Sequence, residues 1–368
     1  MPQPSVALPF TNISEKQSLD CLCELALNPS PSIQCLHCLR QLDADGRAGF
    51  LRLALSHHVI IRAFEPLARW ASAEGESELF DWASQAIAAE KARVENALLY
   101  LHAICSELEA ANCPTTVMKS LDHYPDLGSD LDLYTTAGER QVREVMTKKL
   151  HATAEARSWG DRMAQKHNFK VPGLPESVEI HIQRLGQMGE HTALAKRFVS
   201  RRVTKSVAGR TYFVPAAEER IIVATLQRMY RHFYFRVCDL VNSTNIMESG
   251  EVSLAELKKA TNCAGIWSGV ASYLTVVSDF AAKYRGQGLD LPSMVTAASI
   301  CHGDDIYPRD SFLRVPILAT GATLYTQQVT TAAFSGNVPA TFRLGLLPYL
   351  ASAAAISYKI TGSDKGVW

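Results

Sequence analysis

The sequence predicts an α+β chain, with a small mixed β-sheet core flanked by N-terminal and C-terminal helical regions. Three observations predict it. Residues 1–110 place apolar side chains three and four apart over many turns, the spacing of amphipathic helices. Residues 111–210 change to short runs that alternate at period two, separated by turn-forming segments. Residues 211–368 return to helical spacing. No internal repeat and no low-complexity segment interrupts this order.

The first region closes on "SELFDWASQAIAAEKARVENALLYLHAICSELEAA", Ser77 to Ala111, which has no internal proline or glycine and reads as one or two long helices. Earlier, Cys21, Cys23, Cys35 and Cys38 form C-x-C and C-x-x-C pairs whose number would suit a structural zinc site. Both pairs lie among leucines at helical spacing, however, and the reading favoured is buried thiols acting as small hydrophobes.

After Pro114, "TTVMKS" is a short β-branched run and "DLDLYTT" alternates, giving strand, loop and strand. Gly138 to Ala156 reads as a helix, and Val178 to Leu185, "VEIHIQRL", as another strand. Lys196, Arg197, Arg201, Arg202, Lys205 and Arg210 then make an acid-free basic run, read first as a solvated helix face and second as a phosphate-binding stretch. The third region begins at Pro215, with Glu218 and Glu219 in the first helical turn, where the macrodipole favours acids. Farther on, Arg228, Arg231 and Arg236 alternate with aromatics as in core packing with snorkelling arginines. His302 to Asp310, "HGDDIYPRD", is a second acid cluster without a strand pattern.

Composition bounds the function. The 368 residues are 47% hydrophobic and 20% charged, with 37 basic and 37 acidic side chains. A net charge of zero gives no whole-molecule attraction to nucleic acid or membrane. Met1 to Pro4 lacks the basic and apolar regions of a signal peptide. The apolar run Leu344 to Tyr358 is broken by Pro348 and is shorter than the roughly 20 residues of a membrane helix, so a cytoplasmic location is expected. Neither a G-x-x-x-x-G-K-[ST] loop nor a G-x-S-x-G elbow is present, and Gly362 to Gly366 lacks the context either would need.

The chemistry concentrates on Asp130 and Asp132. On a strand they share one face, with Leu131 and Leu133 on the other. Two neighbouring carboxylates repel, and a cation between them relieves the repulsion. Oxygen donors of this kind suit Mg²⁺. Glu179 shares a face with His181 in the next strand-like run and is the candidate third acid of a two-metal site. Lys119 and Ser120 close the preceding strand, where a small residue lets backbone amides approach a phosphate. His181 has three open roles: orienting Glu179, touching phosphate, or being satisfied inside the fold.

These residues resemble the polymerase-β-like nucleotidyltransferase superfamily, in which a small-residue turn precedes Asp-apolar-Asp and a later strand supplies a third acid. Nine residues separate Ser120 from Asp130. A closer likeness is to a branch of uncharacterised bacterial nucleotidyltransferases, carried by Lys119-Ser120, Tyr124-Pro125, Asp130-Leu131-Asp132, Glu179-Ile180-His181 and Pro215-x-x-Glu218-Glu219-Arg220. It spans roughly residues 85 to 245. Ser120 stands where that branch has glycine, and Gly128-Ser129 stands where it often has an arginine before the acid pair.

The resemblance implies transfer of a nucleoside monophosphate from ATP or another NTP to a hydroxyl of a small-molecule acceptor, with release of pyrophosphate. Asp130, Asp132 and Glu179 would hold two Mg²⁺ ions. Lys119, Ser120, Ser129, His181, Arg201 and Arg202 would contact the nucleotide. A nucleotidyltransferase acting on tRNA or protein, and an inactive nucleotide-binding scaffold, are the rival readings.

Overall fold

The structure is a computed structural model that describes residues 14–361. Met1 to Pro4 and Gly362 to Gly366 lie outside the described residues. Five helices come first: α1 (Glu15–Leu27), α2 (Ile33–Arg40), α3 (Ala44–Ser56), α4 (Ile60–Ala73) and α5 (Ser77–Ala110). Ser14, Ser32 and Asp43 cap the first three by accepting backbone N–H groups of the first turn. The long periodic stretch is one helix, α5, whose 34 residues span about 50 Å at 1.5 Å each.

The central sheet has the order β1-β2-β5-β4-β3. Its strands are β1 (Thr115–Val117), β2 (Asp130–Thr135), β3 (Thr153–Ala154), β4 (Lys166–Lys170) and β5 (Ser177–Ile182). Only β2 and β5 pair in parallel; the other neighbours are antiparallel. Leu131, Leu133, Val178 and Ile180 turn to the face that packs with the second half of α5, from Val94 to Leu108. Tyr134 turns the other way and packs with Phe198 of α8 (Thr192–Ser200). The sheet is therefore a mixed layer between helices, and the α+β class is what the structure has.

Two stretches differ from the sequence reading. The helix expected from Gly138 to Ala156 is shorter: α6 (Glu139–Glu144) continues in a π-helical turn to Lys149, after which Thr153 and Ala154 pair with β4. The basic run is a helix only as far as Ser200. From Val203 it becomes a hairpin, β6 (Val203–Val207) and β7 (Arg210–Val214), closed at Ala208 and Gly209, both with positive φ. Its β-branched alternation and the glycine at the turn decide against a continued helix.

Beyond the hairpin come α9 (Ala217–Thr225), a π-helical turn to His232, β8 (Tyr234–Phe235), α10 (Val237–Glu248), α11 (Leu254–Asn262) and α12 (Trp267–Arg285). A short α13 (Ser293–Thr296) follows, then β9 (Tyr307–Arg309) and β10 (Phe312–Arg314), α14 (Ala322–Phe334) and α15 (Val338–Thr361). Packing does not follow the three sequence segments. Leu22, Phe50 and Phe64 of the N-terminal helices share one continuous core with Ile221, Leu240 and Tyr273 of the C-terminal ones. Cys21, Cys23 and Cys35 are buried in that core as free thiols. Among the described residues, no helix is long and apolar enough to cross a membrane.

Candidate active site

The parallel register of β2 and β5 sets Asp132 opposite Glu179, with Asp130 opposite Ser177 and Tyr134 opposite His181. Side chains at alternate positions share a face, so Asp130, Asp132, Glu179 and His181 all stand on the side away from α5. Asp132, Glu179 and His181 each offer one ligand atom, and these atoms lie within 4.8 Å of one another. Asp130 sits one step along β2, half-buried and outside this tight group.

Two lysines meet the acids. Lys119 Nζ lies 3.0 Å from Asp132 Oδ1, and Lys166 Nζ lies 2.7 Å from Glu179 Oε2. Lys166 comes from β4, directly opposite His181 in the antiparallel β4–β5 pair. His181 Nε2 is 2.7 Å from Glu179 Oε1. Burial pushes the Asp132 carboxyl up to about 6, against the pull of Lys119, while the charges of Glu179 and Asp130 add to the rise. Burial alone would raise Glu179 as well. Lys166 and the His181 bond override it and hold Glu179 well below the usual carboxylate range.

The remaining predicted residues have definite places. Ser120 Oγ accepts the Asp132 backbone N–H at 2.9 Å and donates to the Asp130 carbonyl at 3.3 Å, which straps the turn after β1 to β2. Ser129 is exposed, and its hydroxyl donates to Asp130 Oδ2 at 3.2 Å. Arg201 pairs with Glu218 at 3.0 Å and with Glu219 at 3.2 Å. Arg202 pairs with Glu109, donates to the Thr115 carbonyl and stacks over Phe213. Both guanidinium groups are thus engaged by carboxylates of the fold. Glu218 and Glu219 also carry the Pro215-x-x-Glu-Glu-Arg signal, whose third member, Arg220, pairs with Asp122.

Sequence reading missed Lys166. Its strand, "KHNFK", buries only His167 and Phe169, and the polar face that makes it part of the site also disguises the alternation. The stretch from His302 to Asp310, which contains the strand β9 rather than loop alone, is not among the described groups able to hold a metal. A cavity of about 490 Å³ lies elsewhere, lined by Arg143, Arg157, Arg162 and His167, and none of the predicted residues lines it.

The donor set fits a cation. Among the described residues, buried Asp132 Oδ1 has no hydrogen-bond partner beyond the Lys119 ion pair, and His181 Nδ1 has none. Buried polar atoms left unmet in this way mark a place where a ligand completes the bonding.

No protein-family model matches the chain, and no curated protein matches it. Among solved structures, the chain is similar to an antigenic nucleotidyltransferase-like protein from Paracoccidioides brasiliensis. The match has 15% identity and a TM-score of 0.30, and covers 48% of this chain and 92% of that one. A likeness at that level carries no weight for the fold or the chemistry, which rest on the residues.

Proposed function

We propose that the chain is a cation-dependent nucleotidyltransferase that moves a nucleoside monophosphate from an NTP, with ATP the expected donor, to a hydroxyl of a small-molecule acceptor. The observation that carries the reading is the pairing of Asp132 with Glu179 across the parallel β2–β5 rung, with Asp130 on the same face. In the reaction the acceptor oxygen attacks the α-phosphorus as its proton passes to solvent water, the bond to the bridging oxygen breaks, and pyrophosphate leaves with its electron pair. Divalent cations held by Asp130, Asp132 and Glu179 would neutralise the triphosphate and favour ionisation of the acceptor hydroxyl.

The chain's own residues supply the rest. Lys119, once Asp132 engages a cation, is free to turn its ammonium to a phosphate oxygen. Without a cation, Lys166 and His181 hold the Glu179 carboxylate in place. Glu179, on the neighbouring strand, would hold the cation nearer the acceptor. Triphosphate contacts from Arg201 and Arg202 would first require their pairs with Glu218, Glu219 and Glu109 to open. The same engagement disfavours a tRNA acceptor, whose backbone this basic run would have to contact.

The test is incubation of the protein with Mg²⁺, a metabolite extract and each NTP labelled at the α-phosphate, followed by mass spectrometry. An acceptor carrying the nucleotide should form with wild type and fall at least about 10²-fold with Asp132→Asn, the scale of a lost electrostatic contact at the reacting phosphate. No adduct with any NTP, and no Mg²⁺-dependent NTP binding, would leave the reading without support.

A further inference from the structure

We infer that His181 is itself a metal ligand, so that Asp132, Glu179 and His181 form a position for a first-row transition cation such as Mn²⁺. This position is chemically unlike the all-oxygen one at Asp130 and Asp132, which suits Mg²⁺ bound with a nucleotide. The inference rests on the reading of the acid face as a cation-dependent centre.

Three observations carry it. His181 is 9% exposed, one ring nitrogen faces Glu179, and the other is buried without a partner. If the histidine served only to orient Glu179, its second nitrogen would need a partner of its own. An unmet buried group costs about 1–3 kcal/mol, a cost that a ligand reaching that nitrogen would remove. Second, the ligand atoms of the three residues already cluster within 4.8 Å. Bonds of about 2.0–2.2 Å put two donors on one ion at most ~4.4 Å apart, so the group closes by a few tenths of an ångström. Third, the set mixes one imidazole nitrogen with carboxylate oxygens. An imidazole beside carboxylates suits first-row transition cations, Zn²⁺ and Fe²⁺ most and Mn²⁺ more weakly, and all of these take a nitrogen ligand more readily than Mg²⁺, which prefers oxygen and keeps its waters.

Lys166 has somewhere to go when a cation takes Glu179. Its Nζ also lies 3.6 Å from Asp161 Oδ1, so its ammonium keeps a counter-charge after release. Asp130, outside the tight group, remains available to the second position.

The experiment titrates the full chain, without nucleotide, with Mn²⁺ and separately with Mg²⁺ by calorimetry, and records pulsed EPR of the Mn²⁺ form. Expected are Mn²⁺ binding at least about 10-fold tighter than Mg²⁺ and a ¹⁴N coupling from one directly bound imidazole. His181→Gln should abolish that coupling and weaken Mn²⁺ by about 10-fold or more, while Mg²⁺ affinity shifts by less than about 3-fold. The wild-type spectrum stands whether or not a variant folds, and His181→Asn provides a second replacement. Bound Mn²⁺ without nitrogen coupling, or with coupling that survives both substitutions, would overturn the inference and leave the nucleotidyltransferase reading standing. Binding of neither cation, with or without NTP, would overturn both.

Discussion

Ser120 shows how one hydroxyl can be claimed by the fold. Its oxygen meets the Asp132 N–H and the Asp130 carbonyl, so it holds the acid-bearing strand in place instead of standing open to a phosphate. Ser120→Ala leaves a buried N–H unpaired and should lower stability by about 1–3 kcal/mol in urea melts, with nucleotide affinity falling through displacement of Asp132. A variant as stable as wild type would show that the strap is dispensable. His57 is a second case. Its Nδ1 accepts from Val237 N–H at 2.9 Å and its Nε2 donates to the Ser311 carbonyl at 2.7 Å, which fixes the neutral ring. Burial, with Arg236 and Arg228 nearby, lowers its pKa to about 3, despite the opposing Ser311 bond. Above the unfolded value of ~6.5, folded and unfolded chains are both neutral here and the group adds no slope. As pH falls from ~6.5 toward 3 only the unfolded chain takes the proton, so stability declines. Between pH 7.5 and pH 5 this residue should account for about 2 kcal/mol of loss that a His57→Gln variant does not show. Parallel losses in the two proteins would mean that His57 is not the source.

At the scale of elements, α4 begins at Ile60 without a side-chain cap of its own. The cap arrives from the loop before β2: Asp126 Oδ1 accepts the Ile61 N–H at 2.6 Å and Oδ2 accepts that of Arg62 at 3.2 Å. Asp126→Ala should cost about 1–2 kcal/mol by thermal melt, and Asp126→Asn, which keeps an acceptor, less. Equal effects of the two would assign the loss to packing rather than to the cap. This explains why the sequence was legible only in part. The strands β2 and β5 could be read because apolar residues at alternate positions face α5 while acids face the site. The strand β4 could not, because Lys166 and Asn168 interrupt its short apolar pattern. The hairpin of β6 and β7 was hidden by a charge run whose arginines read as helical surface but pair with acids 17 to 93 positions away. The cap on α4 was invisible for the same reason: its donor and acceptor are 65 positions apart in the chain. The shared face of the three acids was legible from strand alternation and Lys119 from its place at the turn, whereas Lys166 needed the register.

At the scale of the molecule, α5 belongs to both cores. Leu79, Ala83 and Ala86 pack with the N- and C-terminal helices, and Val94 to Leu108 pack beneath the sheet. A fragment of residues 111–214 therefore lacks one wall of the sheet's core and should show no cooperative melting by circular dichroism, whereas residues 88–214 should regain a transition. A sharp melt from the shorter piece would mean that the sheet is self-sufficient. The rod has a mechanical consequence as well. A continuous helix through two cores transmits torque and does not fold at its middle, so residues 77–110 cannot act as a hinge between the acid face and the helical body. Any movement of the acid face against that body must be accommodated at the non-helical connections around Leu185 to His191 and Val214 to Ala216. A spin label at each end of α5 would then keep one fixed separation whether or not a cation or nucleotide is added, a built-in ruler against which movement of those connections can be measured.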